Sequence, residues 1–136
     1  MKTILVDLNV LLDFLFKREH FQAAQSIINI CDSKEVKGFL CSHEITTLSF
    51  FLEKHSKDKA KNKFVIGEVL DIFEILHSDK TILKNALSSK VSDFEDAVIV
   101  ESCKENDIDC IITRNIKDFK NSEIKVFLPE DFILEI

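Results

Sequence analysis

A three-layer α/β fold, a parallel sheet with helices on both faces, is what this sequence predicts, and three observations carry it. Short apolar runs alternate with amphipathic stretches of helical length along the 136 residues. Two Gly, one Pro and no repeat or low-complexity tract leave no place for a domain boundary, so residues 1–136 read as a single domain. Acidic residues recur where an apolar run gives way to a helix start or a loop, and in a parallel sheet those places share the carboxyl edge, where ligands sit.

The elements follow in order. Residues 3–6 (TILV) form a short buried strand, and a helix runs from Asn9, read as its N-cap, to about Phe16. A helix near 20–33 places Phe21, Ala24, Ile27, Ile28 and Cys31 on one stripe. Residues 38–42 (GFLCS) read as strand and lead into a helix from Ser42, with Ile45, Leu48 and Leu52 inward. The segment 59–76 reads as helix with Val65, Val69, Ile72 and Leu76 in register, although its end, DIFEILHS, fits a strand equally well. Helices near 80–88 and 93–105, strands at 108–113 and 124–127, and a short closing helix in PEDFILEI complete the chain. Crossovers between such parallel strands are right-handed.

Composition narrows the function. Hydrophobic residues make up 46% and charged residues 31%, as in a soluble globular protein. The apolar N-terminus carries Asp7, Asn9 and Asp13, which neither a signal peptide nor a membrane span would hold. Cys31, Cys41, Cys103 and Cys110 form no C-x-x-C pair and lie in or beside apolar sequence, the pattern of buried reduced thiols in a cytoplasmic protein. A net charge of −6 speaks against coating nucleic acid by charge alone, unless bound metal neutralises several acids. Twelve Phe stand without a Trp or Tyr, so most of them read as core and stacking platforms are few.

Four acidic motifs carry the chemistry: Asp7 in ILVDLNVLLD, Glu44 in CSHEITTL, Asp96 in SDFEDAVIV and Asp118 in TRNIKDF. Asp7 ends the first strand, and with Asn9 as the cap it is left free. Glu44 falls in the first turn of a helix, where it also complements the dipole. HEITT lacks the second His of a zinc-protease motif, so that site is excluded. S-D-F-E reads as a capping box that occupies Ser92 and Glu95 with each other's amides. Asp93 is either a further ligand or a first-turn acid, and Asp96 shares the helical surface of Val100 and Cys103. Thr113 and Asn115 lie nearer the strand end than Asp118, and either Asp118 or Asn115 could fill a fourth metal position.

Two carboxylates about 5 Å apart at an effective dielectric near 20 repel by roughly 3 kcal/mol, so such a group either takes up protons or recruits a cation. Oxygen ligands without Cys or His point to Mg²⁺ or Mn²⁺, ions that activate water and clamp a scissile phosphodiester. Asp7, Glu44, Asp96 and Asp118 are the expected metal and catalytic residues, supported by Asn9, Asp93, Thr113 and Asn115. Arg114, Lys117 and Lys120 share the loop of Asp118 and are the expected contacts to nucleic-acid phosphates. The cluster Lys54, Lys57, Lys59, Lys61 and Lys63 reads as a solvated helical hairpin tip or, alternatively, a phosphate-contacting arm. Lys17 and Arg18 complement the dipole at the end of the first helix.

At these four motifs, taken in order and ending on F-L-P-E-D-F, the sequence resembles the PIN domain over essentially its whole length, in particular bacterial toxin ribonucleases of the VapC type. The resemblance implies a parallel sheet of about five strands and Mg²⁺ or Mn²⁺ held by the acids. It implies endonucleolytic cleavage of RNA, a homodimer and, often, a small antitoxin protein as partner. Asn9 stands where many members carry Thr or Ser, and Asn115 where some carry Asp, which shifts the burden to Asp118. Exposed Phe on the first two helices is the expected dimer surface.

Other readings are weaker. DLNV after a strand resembles the nucleophile motif of haloacid-dehalogenase-like phosphatases, but Asn9 replaces the second Asp and removes its general acid. A response-regulator receiver needs an acidic pair after the first strand and a Lys after the last, and neither is evident. The alternative to a nuclease is a non-catalytic PIN-like scaffold that binds RNA or protein.

Overall fold

The computed structural model describes all 136 residues. In chain order it comprises β1 (Thr3–Val6), α1 (Leu8–Leu15), α2 (Phe21–Asp32), β2 (Lys37–Cys41), α3 (Ser42–His55), α4 (Lys59–Ile72) and β3 (Glu74–Leu76). There follow α5 (Lys80–Leu87), α6 (Phe94–Glu105), β4 (Cys110–Ile112), a 3₁₀ turn (Ile116–Phe119), β5 (Lys125–Phe127) and α7 (Pro129–Glu135). The five strands form one sheet in the order β3-β2-β1-β4-β5, every neighbouring pair parallel.

That order explains the layers. The chain steps outward from β1 to β2 to β3, then returns past β1 to β4 and β5. Right-handed crossovers place the connections of the two directions on opposite faces. The side chains agree, with the period of two that a sheet imposes. Ile4 and Val6 of β1 join Leu40, Cys110 and Ile112 in a core with residues of α1, α2, α3 and α4. Leu5 points the other way, with Cys41 and Ile111, into a second core built from α5 and α6. β1 and β4, adjacent strands whose connections leave in opposite directions, define the switch point where ligands of such sheets bind.

The ambiguous segment 59–76 divides: α4 stops at Ile72 and β3 takes up Glu74–Leu76, pairing with β2. Phe73 is the hinge, extended at φ −111° and ψ 147° and buried in the core. With so few glycines, left-handed positions just beyond α1, α2 and α6 are taken by Lys17, Lys34 and Asp107, at φ 48°, 64° and 54°. The four cysteines are buried and unpaired. No helix is long and apolar enough to cross a membrane.

The strongly exposed phenylalanines are Phe50 on α3, Phe64 on α4 and Phe94 on α6, whereas Phe14, Phe16 and Phe21 of the first two helices are half-buried. Phe14 and Phe21 stack on each other across α1 and α2, and Phe16 stacks on His55. The apolar faces of the first two helices are therefore largely consumed within the fold.

Candidate functional site

The site is built at the carboxyl edge of β1, β2 and β4. Asp7 directly follows β1, and its N–H donates to the Ile112 carbonyl at 2.8 Å, so its backbone is fixed to β4 as well. Its side chain is the N-cap of α1: Oδ1 accepts from the Leu8 N–H at 2.9 Å. Asn9, expected to cap that helix, does a different job. Its amide nitrogen donates to Asp7 Oδ2 at 3.1 Å, and its Oδ1 accepts from the Arg114 N–H at 3.2 Å. Thr113, fully buried at the end of β4, donates its hydroxyl to Asp7 Oδ2 at 2.7 Å and accepts from the Asn115 N–H at 3.1 Å. Capping by Asp7 wins because the residue that ends the strand has the extended backbone an N-cap needs, and Asn9 is already inside the helix.

Glu44 is the third residue of α3. Its Oε1 accepts from the Cys41 N–H at 2.7 Å, while Oε2 is buried without any hydrogen-bond partner. The residue is 1% exposed. Burial, then the charge of Asp7, push its carboxyl well above the ordinary range against the pull of the Cys41 N–H. Burial also raises Asp7, opposed by the Thr113 and Leu8 donors and reinforced by Glu95 and Asp118.

Asp96 sits in the first turn of α6, its N–H donating to the carboxylate of Asp93, the helix N-cap, at 3.1 Å. Burial, followed by Asp7, Asp93, Asp118 and Glu95, pushes the Asp96 carboxyl up to about 7. The expected Ser92–Glu95 capping box is not formed, because the helix starts one residue later and Asp93 caps it. Glu95 is thereby released and joins the acids: its charge acts on Asp7, Glu44 and Asp96, and Oε1 lies 3.7 Å from His43 Nε2. The sequence signal was an acid beside Asp96 on the same first turn, hidden by a capping motif that fits it equally well.

Asp118 lies exposed on the 3₁₀ turn, close enough for its charge to raise Asp7 and Asp96. Asn115 is exposed just ahead of that turn. Lys117 and Lys120 are exposed on either side of Asp118. The Arg114 side chain turns elsewhere: Nη1 donates to both oxygens of Glu130 at 3.0 and 3.1 Å, and Nε lies 3.8 Å from Asp13 Oδ2. The five lysines between 54 and 63 are exposed around the α3–α4 turn. Helix α3 starts at the acidic edge and runs eleven residues beyond Glu44 to His55, so its far end is about 17 Å from Glu44.

No three His, Cys, Asp or Glu side chains already close around one point. The donor set is all oxygen, which suits Mg²⁺ or Mn²⁺, and the partnerless Glu44 Oε2 is the acceptor an ion would satisfy.

A family model described as the PIN domain matches residues 3–117. No curated protein matches. Among solved structures the chain is similar to one of VapBC2 from Rickettsia felis bound to a DNA fragment from their promoter. The identity is 16% over 92% of this chain and 96% of that one, and the TM-score is 0.70. It is similar to a toxin-antitoxin complex from Klebsiella pneumoniae at 19% identity, covering 93% and 97% of the two chains with a TM-score of 0.69. It is also similar to PAE2754 from Pyrobaculum aerophilum at 17% identity, covering 98% and 88% with a TM-score of 0.67. Identities this low show a shared fold, whereas the family model reads the sequence itself over most of its length, including the first three acidic motifs; the chain belongs to the PIN domain family.

Proposed function

We propose that this chain is a metal-dependent endoribonuclease whose centre is formed by Asp7, Glu44, Asp96 and Asp118. Glu44 carries the reading: a carboxylate 1% exposed, with one oxygen unpartnered and Asp7 close by, is costly in a domain that only binds. A bound Mg²⁺ or Mn²⁺ would offset that cost, polarise the scissile phosphate and acidify the attacking water. Asp7, Glu44 and Asp96 would hold it, with Asp118 at the solvent side and Glu95 added to the set.

The chain's own residues do the positioning. Thr113 and Asn9 aim Asp7 Oδ2, the Cys41 amide fixes Glu44 so that Oε2 is the free oxygen, and Asp93 anchors the turn bearing Asp96. Lys117 and Lys120, exposed beside Asp118, would meet the RNA phosphates on either side of the cut. Arg114, bound to Glu130 and Asp13, would support the loop more than the RNA. The similar structures include one of VapBC2 and a toxin-antitoxin complex, which supports a toxin role with a small antitoxin partner. A homodimer acting in the cytoplasm completes the proposal.

The test is cleavage of total bacterial RNA with new 5′ ends mapped by sequencing. The wild type is compared with Asp96→Asn, each with Mn²⁺ and with chelator. Ends produced only by the wild type with metal are expected. Identical maps from a folded, inhibitor-free protein would favour a non-cutting scaffold that binds RNA or protein.

A further inference from the structure

A cavity of about 420 Å³ opens between α3, α5 and α6, and His43 and Glu95 belong to its wall. Glu95 is also the acid whose charge reaches Asp7, Glu44 and Asp96, so cavity and acidic centre share a border. From the geometry we infer that this cavity is a nucleobase subsite, receiving the unpaired base of a nucleotide next to the scissile phosphate, with Phe94 as its stacking surface. The inference rests on the nuclease reading of the acids.

The chemistry of the wall selects this occupant. Phe94 is 48% exposed at the first position of α6, two residues before Asp96, in a chain without Trp or Tyr. An aromatic ring held half in water beside a phosphate-cutting centre offers a face to a base, and stacking of this kind is tolerant of sequence. Leu83 and Val98 extend the apolar side.

Polar groups line the rest of the cavity and suit the edge of a base. The hydroxyls of Thr46 and Thr47 both donate to the His43 carbonyl, at 2.9 and 3.1 Å, which leaves their oxygens as acceptors. His43 Nε2 is buried and lacks a hydrogen-bond partner. An acidic peptide would be repelled by Glu95 and its neighbours, and a bare phosphate finds no Lys or Arg in this wall. A base carries no charge, stacks on one face and hydrogen-bonds at its edge. It can enter only when splayed from its neighbours, so the substrate class is single-stranded or looped RNA and not continuous duplex.

The absence of Trp makes the test direct. Phe94→Trp places a lone indole in the cavity, and Leu87→Trp, at a side chain 77% exposed and outside the cavity wall, is its control. Each is titrated in Mg²⁺ with AMP, with UMP and with ribose 5-phosphate, none of which holds a phosphodiester to cut. Saturable quenching of Phe94→Trp by the nucleotides, and by neither ribose 5-phosphate nor in the Leu87→Trp control, is the expected result. In parallel, Phe94→Ala should raise KM for a single-stranded oligoribonucleotide about tenfold and flatten base preference beside the cut, with Phe94→Trp restoring both.

Active wild type with no quenching, or with ribose 5-phosphate quenching equally, overturns the subsite and leaves the nuclease standing. Base-specific quenching without cleavage by any variant keeps base binding in this cavity, overturns its place beside a scissile phosphate and sinks the nuclease. Silence in both assays overturns both. Melting curves of each variant by circular dichroism separate these outcomes from misfolding, and an unfolded Phe94→Ala leaves Phe94→Trp to decide.

Discussion

The Thr113 hydroxyl donates to Asp7 Oδ2 at 2.7 Å, tying the first acidic motif to the loop of the fourth across 106 residues of sequence. Each residue directly follows one of two neighbouring parallel strands, and Val6 is paired with Ile112, so the bond exists because β1 and β4 are in register. Thr113→Val keeps the shape and removes the donor. Hydrogen bonds to charged groups contribute about 1.5–3 kcal/mol, and loss of a group that orients a metal ligand lowers metal affinity about 10–100-fold. We expect a lower melting temperature by calorimetry and weaker Mn²⁺ binding by titration. Unchanged Mn²⁺ affinity would show that Asp7 is not held for metal.

Protonation of the acids predicts an inverted pH dependence. Burial and its acidic neighbours raise Asp96 to about 7, and Asp7 and Glu44 are raised too. Between the ordinary carboxylate value and about 7, the folded state binds protons that the unfolded chain has released. Their contribution is full below the unfolded value and is lost as pH rises through the folded one. The metal-free protein should therefore melt at lower temperature as pH rises from about 5 to 8, with a shallower slope in Asp96→Asn. Because the chain lacks Trp and Tyr, circular dichroism or calorimetry reads the melt. An Asp96→Asn slope no different from the wild type's would contradict the arrangement, because His43, which burial lowers, acts in the opposite sense over the same interval in both proteins.

Much of this arrangement is legible in the sequence. The alternation of strand and helix gave the layers, because both periods were clean in TILV and in the stripe of Phe21, Ala24, Ile27, Ile28 and Cys31. Short apolar runs carry no period, so the change from helix to strand at Phe73 is not decidable locally; pairing of β3 with β2 settles it. Caps proved the least legible. Asp7 against Asn9, and Asp93 against Ser92, differ by one or two positions and share the same chemistry, so only the residue's own backbone, extended at Asp7 and Asp93, chooses. Misplacing the second cap is what concealed Glu95. The commitment of Arg114 to Glu130 was invisible because α7 is brought to it by the sheet and by Phe132, fully buried in the core.

Glu44 separates metal binding from folding. Glu44→Gln removes the buried charge yet keeps an oxygen to accept from the Cys41 N–H. Without metal the variant should melt no lower than the wild type, since a carboxyl that burial makes costly to ionise gives way to a neutral amide. Ligand at a hundred times its dissociation constant stabilises a protein by about 2.7 kcal/mol, and this increment with Mn²⁺ should appear in the wild type and vanish in Glu44→Gln. Persistent stabilisation would remove Glu44 from the metal site.

Arg114 is expected to act through the fold. Its guanidinium joins Glu130 of α7 to Asp13 of α1, and Asp13 Oδ2 has no hydrogen-bond partner of its own. Arg114→Met leaves Asp13 buried without its cation, a loss of about 3 kcal/mol by analogy with broken buried pairs. Asp13→Asn in the same chain should recover much of it. If Arg114→Met instead melted normally and weakened RNA binding with a reduced salt slope, the side chain would be a phosphate contact after all.

Gly38 gives a prediction independent of function. It lies buried in β2, and a methyl group built there would come within 2.6 Å of Cys31 Sγ and 2.9 Å of the Phe73 ring. Cys31 and Phe73 are both in the core, at 0% and 3% exposure, so neither can swing into solvent. Overpacking of this kind costs about 1–3 kcal/mol. Gly38→Ala should lower the denaturant midpoint accordingly, and Gly38→Ala with Cys31→Ala should regain part of it by clearing the closer contact. The strand is on the site's side of the hinge at Phe73, and Glu44 follows it by three residues beyond Cys41. A Gly38→Ala variant as stable as the wild type would mean that α2 and Phe73 pack less closely over β2 than these distances state.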